Sequence, residues 1–183
     1  PADADPDERT YTDDDTADVT IDDPALVKSI FTTSNATTWP EGGTDQHTAG
    51  ITDLTIGEEV TFHLTITLPA GTTPTGVTDD LPDVLNVVSS QVLSIGGNTT
   101  AGATSGGNIS GSSIAIGDPG AHNDVNFLAD GQPDQVVFNL GSLLNTPDNV
   151  EDGNDVIVLE VVALVSNYTP GSYENVDGET LTN

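Results

Sequence analysis

Lys28 is the only lysine in a 183-residue chain that carries 30 acidic side chains. It lies in the apolar run Pro24-Ala-Leu-Val-Lys28-Ser-Ile-Phe31, which reads as a short strand. Side chains alternate between the faces of a strand, so Lys28 shares its face with Leu26 and Ile30. An ammonium on such a face is costly unless a partner neutralises it or accepts its hydrogen bonds. The fold must therefore supply a receiving group, or the side chain must snorkel to water from an edge. Glu160 is the one polar interruption of the apolar run from Asp155 to Val165, and it reads either as a functional acid or as a partly exposed strand position.

Other groups could hold ligands. Asp148, Glu151, Asp152, Asn154 and Asp155 place oxygen donors at short spacing around Gly153. That donor set suits calcium, which takes six to eight oxygens, although the spacing is not that of an EF-hand and a solvated acidic loop fits it as well. Asp3, Asp5 and Asp7, and Asp13 to Asp15, repeat the idea more weakly. His47, His63 and His122 are scattered and no cysteine is present, so zinc is not indicated. Asn35, Asn98, Asn108 and Asn167 head Asn-x-Ser/Thr triplets that can carry glycans, and a chain rich in Thr and Asn also produces such triplets by chance. No Ser/His/Asp set and no phosphate-cradling loop has supporting context, and nothing selects two of the carboxylates as a glycosidase pair.

Composition narrows the classes further. The net charge is -28 and the pI about 4.1, with Arg9 the only other basic side chain. Phosphate recognition needs clusters of Lys and Arg, so nucleic acid is excluded as a leading partner and anionic membranes are disfavoured. Self-repulsion on this scale calls for screening by salt or for bound cations, which points to a saline medium or a calcium-rich exterior. Without cysteine there is neither a disulfide nor thiol chemistry. Methionine is absent even at position 1, so the chain reads as a piece of something longer, and no apolar run is long enough to insert in a membrane.

The elements that must position these groups are strands. Residues 1–23 form an acidic linker that ends in the alternating stretch Thr16-Ala-Asp-Val-Thr-Ile21. The lysine strand follows to about Thr33, then a loop over 34–50. Val60 to Leu68 alternates strictly, with Val60, Phe62, Leu64, Ile66 and Leu68 on one face and Thr61, His63, Thr65 and Thr67 on the other. Pro69-Ala-Gly71 ends it, and short strands are expected at 76–79, 84–95, 112–116 and 135–140. Residues 96–111 read as a flexible Gly/Asn/Ser/Thr insert, and 155–165 as a central strand covered on both faces. Short strands between turn clusters, without helical periodicity, predict an all-β sandwich over residues 24–183.

Four segments carry a resemblance. They are Pro24-Ala-Leu-Val-Lys28-Ser, Ile56-Gly-Glu-Glu-Val-Thr-Phe-His-Leu-Thr-Ile-Thr-Leu-Pro69, Val77-Thr-Asp79-Asp-Leu-Pro82 with Val87-Val88-Ser89, and Asp177-Gly-Glu-Thr-Leu-Thr-Asn183. Together they resemble the tandem immunoglobulin-like repeat domains of bacterial and archaeal surface proteins related to fimbrial isopeptide-forming domains. The resemblance implies an immunoglobulin-like sandwich, an extracellular location and a structural rather than enzymatic role. It implies that Lys28 on the first strand bonds covalently to Asn183 on the last, promoted by the acid Asp79, with Glu160 the rival acid and Asn175 the rival asparagine. A protonated carboxyl there would polarise the carboxamide, the amine would attack it and ammonia would leave. Closing so long a loop would add about 5 kcal/mol on the chain-entropy model. An ordinary salt bridge is the plainer fate of the lysine.

In such repeats the last strand continues beyond the Leu-x-Asn motif through an acidic turn. Here that turn and the strand after it stand at the start, over 1–21, so the chain resembles one repeat cut out of register. This implies a repeat of a giant protein, or a subunit that passes its first strand head-to-tail into the next copy, as in a pilus or other filament. The expected function is a structural subunit of an extracellular filament, stalk or adhesin whose partner is itself and which requires no cofactor. The alternative is a calcium- or glycan-binding adhesion domain using 96–111 or 148–155.

Overall fold

The computed structural model describes residues 23–34, 54, 56–82, 84–122 and 134–166. They form eight strands: β1 (Ala25–Thr33), β2 (Glu59–Thr67), β3 (Gly71–Leu81), β4 (Leu85–Ile95), β5 (Ile109–Ser110), β6 (Ala121–His122), β7 (Asp134–Asn145) and β8 (Val156–Val165). One 3-10 turn, Gly153–Asp155, precedes β8. Every strand pairing is antiparallel. The first sheet runs β1–β2–β8–β4; in the second, β7 pairs with β3 on one side and with β5 and β6 on the other. This is the all-β sandwich the sequence predicts. Among the described residues no helix is long and apolar enough to cross a membrane.

The strict alternation of β2 determines its role. Val60, Phe62, Leu64, Ile66 and Leu68 are all buried, and the intervening threonines and His63 face outward. They join Leu159 and Val161 of β8, and Phe138 and Leu140 of β7, in one core between the sheets. Each such side chain contributes about 1.5–3 kcal/mol by leaving water. β8 is central as predicted, but covered on one face only: Ile157, Leu159, Val161, Ala163 and Val165 are buried, and the residues between them are partly exposed.

The strands expected at 76–79 and 135–140 are longer, spanning 71–81 and 134–145, and the one expected at 84–95 is β4. Residues 112–116 are not a strand. Ser112 donates its hydroxyl to the Ile114 carbonyl, and the Ala115 amide donates to the Asp118 carboxylate, so short polar side chains bend the chain locally. The insert expected over 96–111 is folded. Ile109 is buried, and bridges join Ile95 to Asn98 and Gly106 to Ile109. Gly96 and Gly106 pass so close that a Cβ on either would lie 2.0 Å from a backbone oxygen. A composition that suggests flexibility here permits close backbone approach instead.

Candidate functional site

Lys28 lies opposite Leu64 in the β1–β2 register, and opposed residues of an antiparallel pair share a face. Lys28 therefore points inward with Leu26 and Ile30, as its period predicts. Asp79 lies on β3 between Val77 and Leu81, all three buried, and opposite Val136 of β7. The lysine Nζ is 2.6 Å from Asp79 Oδ1, and it sits 4.4 Å from the centroid of the Phe62 ring. The pair joins the edge strand of one sheet to the edge strand of the other. Its side chains are 23% and 6% exposed.

Asp79 Oδ2 is buried and accepts no hydrogen bond from any described residue. A buried acceptor left unsatisfied costs about 1–3 kcal/mol, so the geometry calls for a third group at that oxygen. Next to the pair, Leu26 shares the inward face yet remains 53% exposed, so the seam between β1 and β3 is open at this level. An amine, a carboxyl and a ring face at these distances can make an ion pair or prepare amide formation.

Asn183 and Asn175 lie outside the described residues, as do Asn35, Asn167, His47 and the first 22 residues. The rival acid requires correction. Glu160 faces outward, on the opposite side of the first sheet from Lys28, because it is opposite His63 of β2 and Gln91 of β4. Gln91 donates to Glu160 Oε1 at 2.7 Å, and His63 Nε2 lies 3.4 Å from Oε2. The His63 ring in turn stacks on Phe31, with centroids 4.0 Å apart.

The candidate calcium loop folds upon itself. Asp148 accepts from the Val150 amide and from Asn108 Nδ2, and Asp152 caps the 3-10 turn by accepting from the Asn154 amide. Asp155 accepts from the Asp152 amide at 3.0 Å and from Asn108 Nδ2 at 3.1 Å. The first of these bonds, then the second, holds the buried Asp155 carboxyl below its ordinary value of 3.8, against the opposing effect of burial. No group of three or more His, Asp or Glu side chains among the described residues could hold a metal ion. Asn108 is also a poor glycan acceptor, since its Nδ2 donates to two carboxylates that a sugar would displace. Asn98 spends one donor on the Ser105 carbonyl.

One polar link has no signal in the sequence. Ser90 of β4 is buried, lies 2.8 Å from His122 Nε2 on β6 and accepts from the Gly120 amide. With the Val92 backbone bonds to Gly117 and Asp118, it closes the side of the sandwich opposite the lysine seam. Comparison of the chain with protein-family models, curated proteins and solved structures finds no match.

Proposed function

We propose that the chain is a structural subunit or repeat module of an extracellular filament, stalk or adhesin, built as an immunoglobulin-like sandwich and locked by an isopeptide bond from Lys28. The observation that carries this reading is the Lys28–Asp79 pair across the sheet edges, its aspartate buried and its lysine partly exposed, with Asp79 Oδ2 awaiting a third group. That group is the carboxamide of Asn183. The neutral amine of Lys28 attacks the carboxamide carbon, a new C–N bond forms, the old one breaks, and ammonia leaves with the proton that Asp79 relays. The bond clamps the first strand to the last, so tension along the chain is borne covalently. The module has no enzymatic role. The half-exposed Leu26 beside the pair supports assembly by strand donation, in which residues 16–21 of one copy enter the seam of the next.

Intact mass tests the bond. The expected result is a deficit of one ammonia, with trypsin failing to cut after Lys28 in the denatured chain, and full mass in an Asp79→Ala variant. A deficit of one water would instead make Asp79 itself the acyl donor, a second reading favoured by the 2.6 Å contact. Full mass with clean cleavage at Lys28 sinks both. Unheated denaturing gels of the same samples read assembly: a ladder that collapses on heating supports strand donation, and a lone monomer removes it.

A further inference from the structure

β1 is an edge strand of the first sheet and the first element of the described fold. It begins at Ala25, opposite Thr67, and ends at Thr33, opposite Val60. β8 is the last described strand and lies in the same sheet, with only β2 between the two. It begins at Val156, also opposite Thr67, and its Leu164 lies opposite Glu59. β1 and β8 therefore run parallel to each other on either side of β2. Asp23 precedes β1 at the Thr67 end of β2, and Ser166 follows β8 at the Glu59 end. Tension between Asp23 and Ser166 thus pulls β1 along its own axis in one direction and β8 along its axis in the other.

We infer that β1 is the mechanical clamp of the module and that the β1–β2 ladder carries its tension in shear. The inference rests on the reading of the chain as a structural module under load, but it does not require the bond from Lys28. The hydrogen bonds of an antiparallel ladder lie across the strands, so a pull along β1 loads them together. Eight register pairs resist at once. Beyond β1, the Ser34 amide donates to the Glu59 carbonyl and the Glu59 amide donates to Ser34 Oγ, which lengthens the ladder. Nor can the ladder creep. A slip of one residue would turn Lys28 and Ile30 off the inward face, taking the lysine from Phe62 and Asp79 and the isoleucine from the core. Beyond β1 the same tension meets a weaker geometry. Once β1 has left, the load reaches β2 at Glu59, opposite Leu164 and beside the end where β8 is pulled. β2 and β8 then part from that shared end, and their nine pairs open one after another. Load from a preceding repeat, or from a copy holding residues 16–21, reaches β1 at its Ala25 end, so the clamp stands first in the line of force. A lock on Lys28 reinforces the strand on which that load falls.

Single-molecule stretching of the full 183-residue chain tests this, and a chain without cysteine accepts paired cysteine handles cleanly. Lys28→Arg is the background, because it keeps a cation opposite Asp79 yet has no amine to join to a carboxamide. Lys28→Met with Asp79→Leu replaces it if circular dichroism shows a disturbed fold. Handles at Asp23→Cys and Ser166→Cys load β1 in shear. Handles at Asp23→Cys and Ala70→Cys, an exposed residue just past the Thr67 end of β2, peel β1 from that end one pair at a time. The expected result is a first release in shear at several-fold the peeling force, with about 100 Å gained as residues 25–58 come free. No later peak in shear should be as high. Equal forces in the two geometries overturn the inference, as does a later peak higher than the first, since resistance would then lie outside the β1–β2 ladder. The same shear handles on the wild-type lysine report separately on the bond. A link from Lys28 to Asn183 carries the load past the ladder and abolishes that release, and without the link the wild type behaves as Lys28→Arg does.

Discussion

At the scale of the residue, an ion pair and a covalent bond at Lys28 respond differently to replacement by apolar groups. If the wild type holds only an ion pair, Asp79→Leu alone strands the lysine, and because that side chain is 23% exposed the loss is modest, about 1–3 kcal/mol for a charged hydrogen bond; if it holds the cross-link, which that variant cannot form, about 5 kcal/mol more is lost. The double variant Lys28→Met with Asp79→Leu removes both charges. If the wild type held only an ion pair, well-packed apolar substitutes would restore stability to within about 1 kcal/mol, since desolvating the pair offsets much of its attraction. A cross-link closing the loop from residue 28 to 183 predicts that the double variant stays about 5 kcal/mol below the wild type. Urea unfolding of the three proteins decides it, and a double variant as stable as the wild type refutes the bond. The inward aspect of Lys28 was legible because period-two patterning assigns it to the face of Leu26 and Ile30. Asp79 was not legible that way: no local pattern reveals that an aspartate on β3 meets a lysine 51 residues earlier on another sheet, and only the resemblance selected it.

Among the elements, the turn before β8 is held by acids acting as hydrogen-bond acceptors, so its contribution depends on pH. The folded state keeps Asp155 below its ordinary value of 3.8, chiefly through the Asp152 amide and then Asn108. A depressed folded value means that the ionised carboxylate stabilises the fold at pH above 3.8, and that this stability is lost as pH falls through the lower, folded value. Asp155→Asn is therefore expected to be less stable than wild type at neutral pH, with the gap narrowing in acid. Denaturant midpoints across the acid range measure it, and a gap that persists undiminished would count against the assignment. The sequence placed these acids together but could not say that they serve one another. In the same way it placed Glu160 in an apolar run without saying which face of β8 is inward, since both faces of that run carry valines. The Ser90–His122 link was hidden for a further reason: β6 has two residues, too few to show any period.

For the whole molecule, the distribution of charge decides the conditions in which the sandwich is stable. The core is apolar, the described strands carry five acids (Glu59, Asp79, Asp80, Asp134 and Glu160), and the chain has two Lys and Arg against 30 acidic side chains, so its acids repel one another with little basic compensation. Between 0.1 M and 1 M salt the screening length falls from about 10 Å to about 3 Å, short enough to silence most of that repulsion. The melting temperature is therefore expected to climb with sodium chloride, by about 2–4 °C for each kcal/mol of repulsion removed in a chain of this size. Because Asp148, Asp152 and Asp155 already accept hydrogen bonds within the chain, calcium chloride at the same ionic strength should raise the melting temperature no more than sodium chloride does. An additional rise at millimolar calcium, reversed by chelator, would show that the acidic loops rearrange around the ion. A melting temperature indifferent to both salts would mean that the charge is matched by something other than screening, and the argument from net charge would fail with it.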